Sequence, residues 1–225
     1  MKMNKFIPLA AAAVLFCTSG WTGQHKQVAP ESIWAAEPQR VVVEDFPADG
    51  LILDIGGGGE GVIGQLKGRQ VIAIDINKRE LVEAPPGPLL KIVMDGRDLK
   101  FLDDSFATAT VFFTFMYIAP ADHRQVLREL HRVLAPGGRL LIWDVVFPKL
   151  EDKTKEVAMF PISVKLPARE INTGYGVRLP GEELGPAHFE KLAGETGFAI
   201  VSKKTDQRWF FLELAKPAAS KSSPM

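Results

Sequence analysis

Residues 51–75, LILDIGGGGEGVIGQLKGRQVIAID, constrain this chain more than any other stretch. A run of β-forming residues ends on Asp54. A glycine cluster follows (Gly56, Gly57, Gly58, Gly59 and Gly61), then a short helix-like segment, then a second apolar run ending on Asp75. This order spells one β-α-β unit. Glycines let the backbone turn tightly and approach a ligand, and the expectation is that the N–H groups of the loop face that ligand. Asp75, ending the second strand, is placed to accept hydrogen bonds from the two hydroxyls of a ribose. The unit therefore reads as a site for an adenosine-type cofactor.

The alternation continues past this unit. Residues 78–84 read as a short helix stopped by Pro85 and Pro86. LLKIVMD and TATVFFTF read as the third and fourth strands. In residues 122–134, Val126, Leu127, Leu130, Val133 and Leu134 share one helical face, and Pro136, Gly137 and Gly138 end that helix before the strand RLLIWDVVF. A helix over 186–196 and two strands, FAIVSKK and QRWFFLELA, turning at Thr205 and Asp206, complete the chain. The prediction is an α/β fold: a Rossmann-like, seven-stranded, mostly parallel sheet with a C-terminal antiparallel hairpin, in a three-layer sandwich. Residues 148–185 carry a weak pattern with two short strands, AMFPISVKLP and INTGYGVRLP, and read as a lid-like insertion.

Composition bounds the partners. The formal net charge is zero, which offers no long-range attraction to nucleic acid or to an anionic membrane surface. The single cysteine, Cys17, excludes an internal disulfide, and no Cys/His spacing resembles a metal site. Residues 1–19 have the layout of a signal peptide: two early lysines, an apolar run, and small residues at its exit. That run is too short to span a bilayer, so no integral membrane domain is expected. Residues 20–40 read as a linker, 41–216 as the folded domain, and 217–225 as a disordered tail. The oligomeric state is not legible.

Two cofactors compete for the glycine loop. Gly56, Gly58 and Gly61 spell the G-x-G-x-x-G dinucleotide pattern, a weak signal alone. Asp54 argues the other way: an acid there repels a pyrophosphate and attracts a cationic amino-acid moiety, which favours S-adenosylmethionine over NAD. The segments LDIGGGG, AIDIN, MDGRDLKFLDDSF and, above all, LRELHRVLAPGGRLLIWD resemble the class I S-adenosylmethionine-dependent methyltransferases, of the type 11 small-molecule group. The resemblance covers residues 51–146 and a family-like C-terminal hairpin. It implies that Asp54, Gly56, Gly57, Gly58 and Gly59 contact the methionine portion of S-adenosylmethionine. It implies further that Asp75 holds the ribose, Ile76 packs on the adenine, and Asp95, beside Gly96 and Arg97, bonds the adenine amino group. Phe113 and Thr114 would lie near the sulfonium. The chain departs from the family pattern at Glu60, where a third glycine is usual, and at Ala107, where an acid often follows Ser-Phe.

The reaction this implies is methyl transfer to a small-molecule acceptor, which asks the protein chiefly to align two reactants and exclude water. A general base is optional. Tyr117 and His123, just after the fourth strand, are the candidates, with Asp144 as a third. Phe113, Phe115, Met116 and Tyr117 suggest an amphipathic acceptor, and Tyr175 is a candidate lid contact. A leader sits awkwardly with a donor made in the cytosol. An uncleaved inner-face anchor, a donor reaching the outer compartment, and a binding module of this fold without activity are the readings left open. An NAD-dependent oxidoreductase is a further alternative, without an identifiable nicotinamide-side residue.

Overall fold

A computed structural model describes residues 28–218. The leader-like segment 1–19, the first part of the expected linker, and most of the expected tail lie outside the described residues. The elements are β1 (Ile33–Ala35), β2 (Gln39–Val42), β3 (Ile52–Ile55), α1 (Val62–Lys67), β4 (Val71–Asp75), α2 (Lys78–Glu83), β5 (Leu90–Val93), β6 (Phe106–Phe112), α3 (His123–Val133), β7 (Leu134–Val145), β8 (Val157–Lys165), β9 (Glu170–Arg178), α4 (Pro186–Glu195), β10 (Ala199–Asp206) and β11 (Trp209–Ala215).

The larger sheet has seven strands in the order β10-β11-β7-β6-β3-β4-β5. Pairing is parallel from β5 through β7, while β11 runs antiparallel between β7 and β10. The mostly parallel sheet and its antiparallel hairpin are thus those expected. All four residues of β3 are buried, as befits a central strand covered on both faces. On one face, Val126, Leu127, Leu130 and Val133 of α3 pack with Phe189 and Leu192 of α4. The spacing of the α3 residues gives a single apolar stripe. α2 opens on an Asn77 cap, whose side chain accepts the Arg79 N–H at 3.0 Å.

The opposite face departs from expectation. Beside α1 and Leu81 of α2 it is covered by a second sheet. β8 and β9, nine residues each, form one antiparallel hairpin across the whole of β8. β1 and β2 lie end to end along the other edge of β8, parallel to it. The stretch to residue 40 read as linker therefore contains β1 and the first half of β2. Burial explains the difference: Val41 and Val43 are fully buried or nearly so, in the same core as Phe160, Ile162 and Val164. The hairpin turn also falls two residues later than read, at Gln207 and Arg208, with Gln207 in the left-handed region (φ 47°).

Phe160 fixes the second sheet to the body. It is fully buried, edge-on to Trp34 at 5.7 Å and to Phe147 at 5.6 Å between ring centroids. Phe160→Ala is expected to cost about 3–5 kcal/mol, read as a lowered midpoint in urea unfolding. A loss under 1 kcal/mol would show that the second sheet adds little to the stability of the body.

Candidate functional site

The carboxyl ends of β3, β4 and β6 open on a cavity of about 340 Å³. It lies where the chain order reverses around β3, with β4 on one side and β6 on the other, the position at which open α/β sheets bind ligands. The expected residues Asp54, Gly56, Gly57, Gly58, Gly59, Asp75, Ile76, Asp95, Gly96, Phe113, Thr114 and Tyr117 all line it. Glu60, Glu80 and Tyr175 line it as well.

The glycine loop is tight because its neighbours demand it. A Cβ on Gly57 would sit 2.6 Å from an Asp54 carboxylate oxygen and 2.7 Å from the Ala73 side chain. On Gly58 it would sit 2.8 Å from an Asp75 oxygen. The expectation that the loop N–H groups face a ligand is not met. Those of Gly56 and Gly57 donate to Ile74 O at 2.7 and 3.0 Å, and those of Gly59 and Gly61 to Glu80 O and Gly58 O. That of Gly58 donates to the Asp75 carboxylate. Folded back onto the end of β4 in this way, the loop is no cradle for phosphate. The ligand would instead meet carboxylates.

Asp54 is 2 % exposed and accepts a hydrogen bond from Thr110 Oγ1 at 2.7 Å. Burial pushes its pKa up to about 7, against the Thr110 bond, and Asp75 adds to the rise. Asp75 also accepts the Asn77 N–H at 2.8 Å, and burial raises its pKa. Glu80 is raised by burial first and then by Asp75, Glu83 and Glu60. Among the described residues lining the cavity, Arg97 is the only cationic side chain, and it is paired with Asp95 (2.7 Å) and Asp122 (2.8 Å). Hydrogen bonds from Arg97 hold the Asp95 carboxyl below its usual range. The cavity is a site of excess negative charge.

The far wall is aromatic. Phe113, at the end of β6, has φ 48°, a left-handed conformation that is costly for a residue with a side chain and is commonest at functional sites. Its ring stacks on Tyr175 of β9, with centroids 5.4 Å apart and planes at 24°. Tyr117 stands nearly perpendicular to Tyr175 at 6.5 Å. Thr114 Oγ1 donates to Ile55 O or Phe112 O, at 3.2 and 3.1 Å. Burial, and then Glu60, raise the Tyr175 pKa, which keeps that phenol protonated.

His123 is corrected: it does not line the cavity. It is fully buried, with Nε2 3.0 Å from both Phe115 O and Ile118 O and Nδ1 3.0 Å from His188 Nε2. Two carbonyls facing Nε2 put the proton there, and Nδ1 accepts from His188. Burial lowers its pKa, and its ring packs between Phe115 and Phe189. Asp144 is likewise buried off the cavity wall, accepting the N–H groups of Val145 (2.8 Å) and Met116 (3.4 Å). It anchors the turn that carries Tyr117. The residue that sequence reasoning undervalued is Glu60. Its carboxylate, the departure from the glycine pattern, accepts hydrogen bonds from Thr173 Oγ1 and, at 3.3 Å, from the Tyr175 hydroxyl.

The raised Asp54 pKa has a definite sign for stability. The folded chain holds a proton on Asp54 that the unfolded chain releases above its ordinary carboxylate pKa, so this group's contribution is full below 3.8 and is lost as pH rises through about 7. Asp54→Asn is therefore expected to raise the melting temperature of the ligand-free protein at pH 8 by at least about 2–4 °C, and by roughly a third as much at pH 5, where the carboxyl of the unfolded chain is already ionised. Thermal melts at the two pH values check this. A lowered melting temperature at pH 8 would mean that the charged carboxylate stabilises the empty site.

Residues 53–142 match the family model described as "Methyltransferase domain". The chain is 36% identical over 84 residues to the human mitochondrial 2-methoxy-6-polyprenyl-1,4-benzoquinol methylase, covering 34% of this chain and 25% of that protein. It is 38% identical over 76 residues to the demethylmenaquinone methyltransferase of Thermotoga maritima, covering 34% and 32%. To the O-methyltransferase cnsE of Penicillium expansum it is 33% identical over 138 residues, covering 56% and 49%. These matches span a quarter to a half of each relative's length. In architecture it is similar to an S-adenosylmethionine-dependent methyltransferase of Methanosarcina mazei (TM-score 0.55, 22% identity, 77% of this chain and 95% of that one). A second such structure, from Mesorhizobium loti, gives a TM-score of 0.53 at 14% identity, over 76% and 93%. The matched segment runs from Leu53, in the strand before the glycine loop, to Ile142, beyond the Pro-Gly-Gly turn, so the part of the chain that builds the cavity is similar to a methyltransferase domain, on a fold shared with S-adenosylmethionine-dependent methyltransferases.

Proposed function

We propose that this protein transfers a methyl group from S-adenosylmethionine to a small aromatic acceptor of phenol or quinol type. The observation that carries the donor half is the charge of the cavity. Asp54, Glu60, Asp75 and Glu80 line it, the one cation is already paired, and the loop N–H groups are spent on the protein's own acceptors. A pyrophosphate would meet only repulsion there, so the NAD alternative is disfavoured. A ligand bearing an ammonium and a sulfonium suits it.

When bound, S-adenosylmethionine supplies a methyl group already made electrophilic by the sulfonium. The work of the chain is to orient and to exclude water. Asp75 would hold the ribose, Ile76 and Asp95 would meet the adenine, and Asp54 would face the aminoacyl end. The acceptor half rests on the aromatic wall. Phe113, Tyr117 and Tyr175 line the cavity together as an aromatic cluster beside the donor site. A benzoquinol methylase and a demethylmenaquinone methyltransferase among the relatives support an aromatic ring there. With His123 and Asp144 off the wall, Tyr117 is the remaining base candidate among the three. The leader-like segment leaves location a proposal as well: attachment to or export across a membrane, tested by fractionating cells that express the full chain.

Calorimetric titration with S-adenosylmethionine and NAD tests the donor. Micromolar binding of the first and none of the second is expected, and the reverse would overturn the reading. Because a cation favours ionised Asp54, whose pKa is raised to about 7 in the empty site, donor binding should release a proton and tighten between pH 6 and pH 8. Affinity unchanged over that range would mean that Asp54 does not meet the donor's charge. For the acceptor, Tyr117→Phe should lower turnover of a catechol or hydroquinone probe at least tenfold with donor affinity intact. Undiminished turnover would remove Tyr117 as a base.

A further inference from the structure

We propose that Glu60 matches the cavity to the charge of the donor, so that cationic S-adenosylmethionine is held more tightly than the neutral thioether left after transfer. This rests on the donor reading above. Three observations place Glu60 in that role. It occupies the loop position at which the family pattern carries glycine, and it lines the cavity. Its carboxylate is held by two hydroxyls of the second sheet, those of Thr173 and Tyr175. It lies close enough to Glu80 to raise that group's pKa, so its charge is felt across the cavity.

The hydroxyl contacts matter for the sign. Thr173 and Tyr175 donate neutral hydrogen bonds, which orient the carboxylate without cancelling its charge. No cation of the wall is left to do so, because Arg97 is engaged by Asp95 and Asp122. Glu60 therefore projects an uncompensated negative field into a partly enclosed space. Donor and product share the adenosine, the ammonium and the carboxylate. They differ by one methyl group and one positive charge. The ratio of their affinities isolates the response to the charge. At a separation of about 8 Å and an effective dielectric between about 20 and 40, one unit charge changes the affinity for another by about five- to thirtyfold.

The test is calorimetric titration of the full chain and of Glu60→Gln with S-adenosylmethionine and S-adenosylhomocysteine. Glutamine keeps the size, accepts from one of the two hydroxyls with its carbonyl oxygen and can donate to the other with its amide N–H, but it carries no charge. The wild-type chain should bind the donor more tightly than the product. The variant should lose about five- to thirtyfold in donor affinity, with product affinity changed less than about twofold. Equal weakening of both ligands, or no change in their ratio, overturns the proposal, and so does a wild-type chain that binds the product as tightly as the donor. Thr173→Val keeps the Glu60 charge while removing one of its tethers. It should preserve the wild-type ratio, and a collapsed ratio there would assign the effect to sheet geometry and refute the charge argument. A wild-type chain that binds neither compound defeats the donor reading itself, an outcome distinct from the others.

Discussion

Everything at the cavity depends on a sheet whose central strands are buried and whose acids gather where those strands end. β3 is buried along its whole length, between β4 and β6. The acid that ends its apolar run, Asp54, has no route to solvent except through the cavity. A carboxylate in that position is costly, which is why its pKa rises to about 7. That cost is built into the empty site, and a cationic ligand is the partner that relieves it. The same end of the sheet collects Asp75 from β4, and α2 adds Glu80, so charge accumulates where the strands run out.

Much of this was legible in the sequence, for local reasons. Runs such as VIAID and TATVF specify strands by composition, the α3 stripe specifies a helix by period, and the glycines specify a turn at which side chains do not fit. These signals lie within a few residues of what they determine. β1 and β2 had no such signal. They are three and four residues long, and they exist because β8, more than 120 positions away, offers them an edge. No window along the chain reports a pairing of that reach.

His123 shows a signal that was present and not weighed. It precedes Val126, Leu127 and Leu130 by three, four and seven residues, so it belongs to the same buried stripe of α3. Helical periodicity alone turns its ring toward Phe189 and away from the cavity. The loop N–H groups illustrate the opposite case. Glycine composition predicts that a loop can approach a ligand, but which acceptor its N–H groups find is decided by where the end of β4 lies. Here they find Ile74 O.

The arrangement of the second sheet sets an order on assembly. β8 carries β9 along one edge and the two earliest described strands along the other. The hairpin of β8 and β9 closes through neighbours in sequence. β1 and β2 must wait until most of the chain has been made before their hydrogen-bonding partner exists. During synthesis the residues that emerge first among those described are thus among the last to be paired, with Val41 and Val43 unsheltered until then. Their brevity, with Arg40 inside β2 and Glu44 shortly after it, leaves little uninterrupted apolar edge to recruit another chain in the interval.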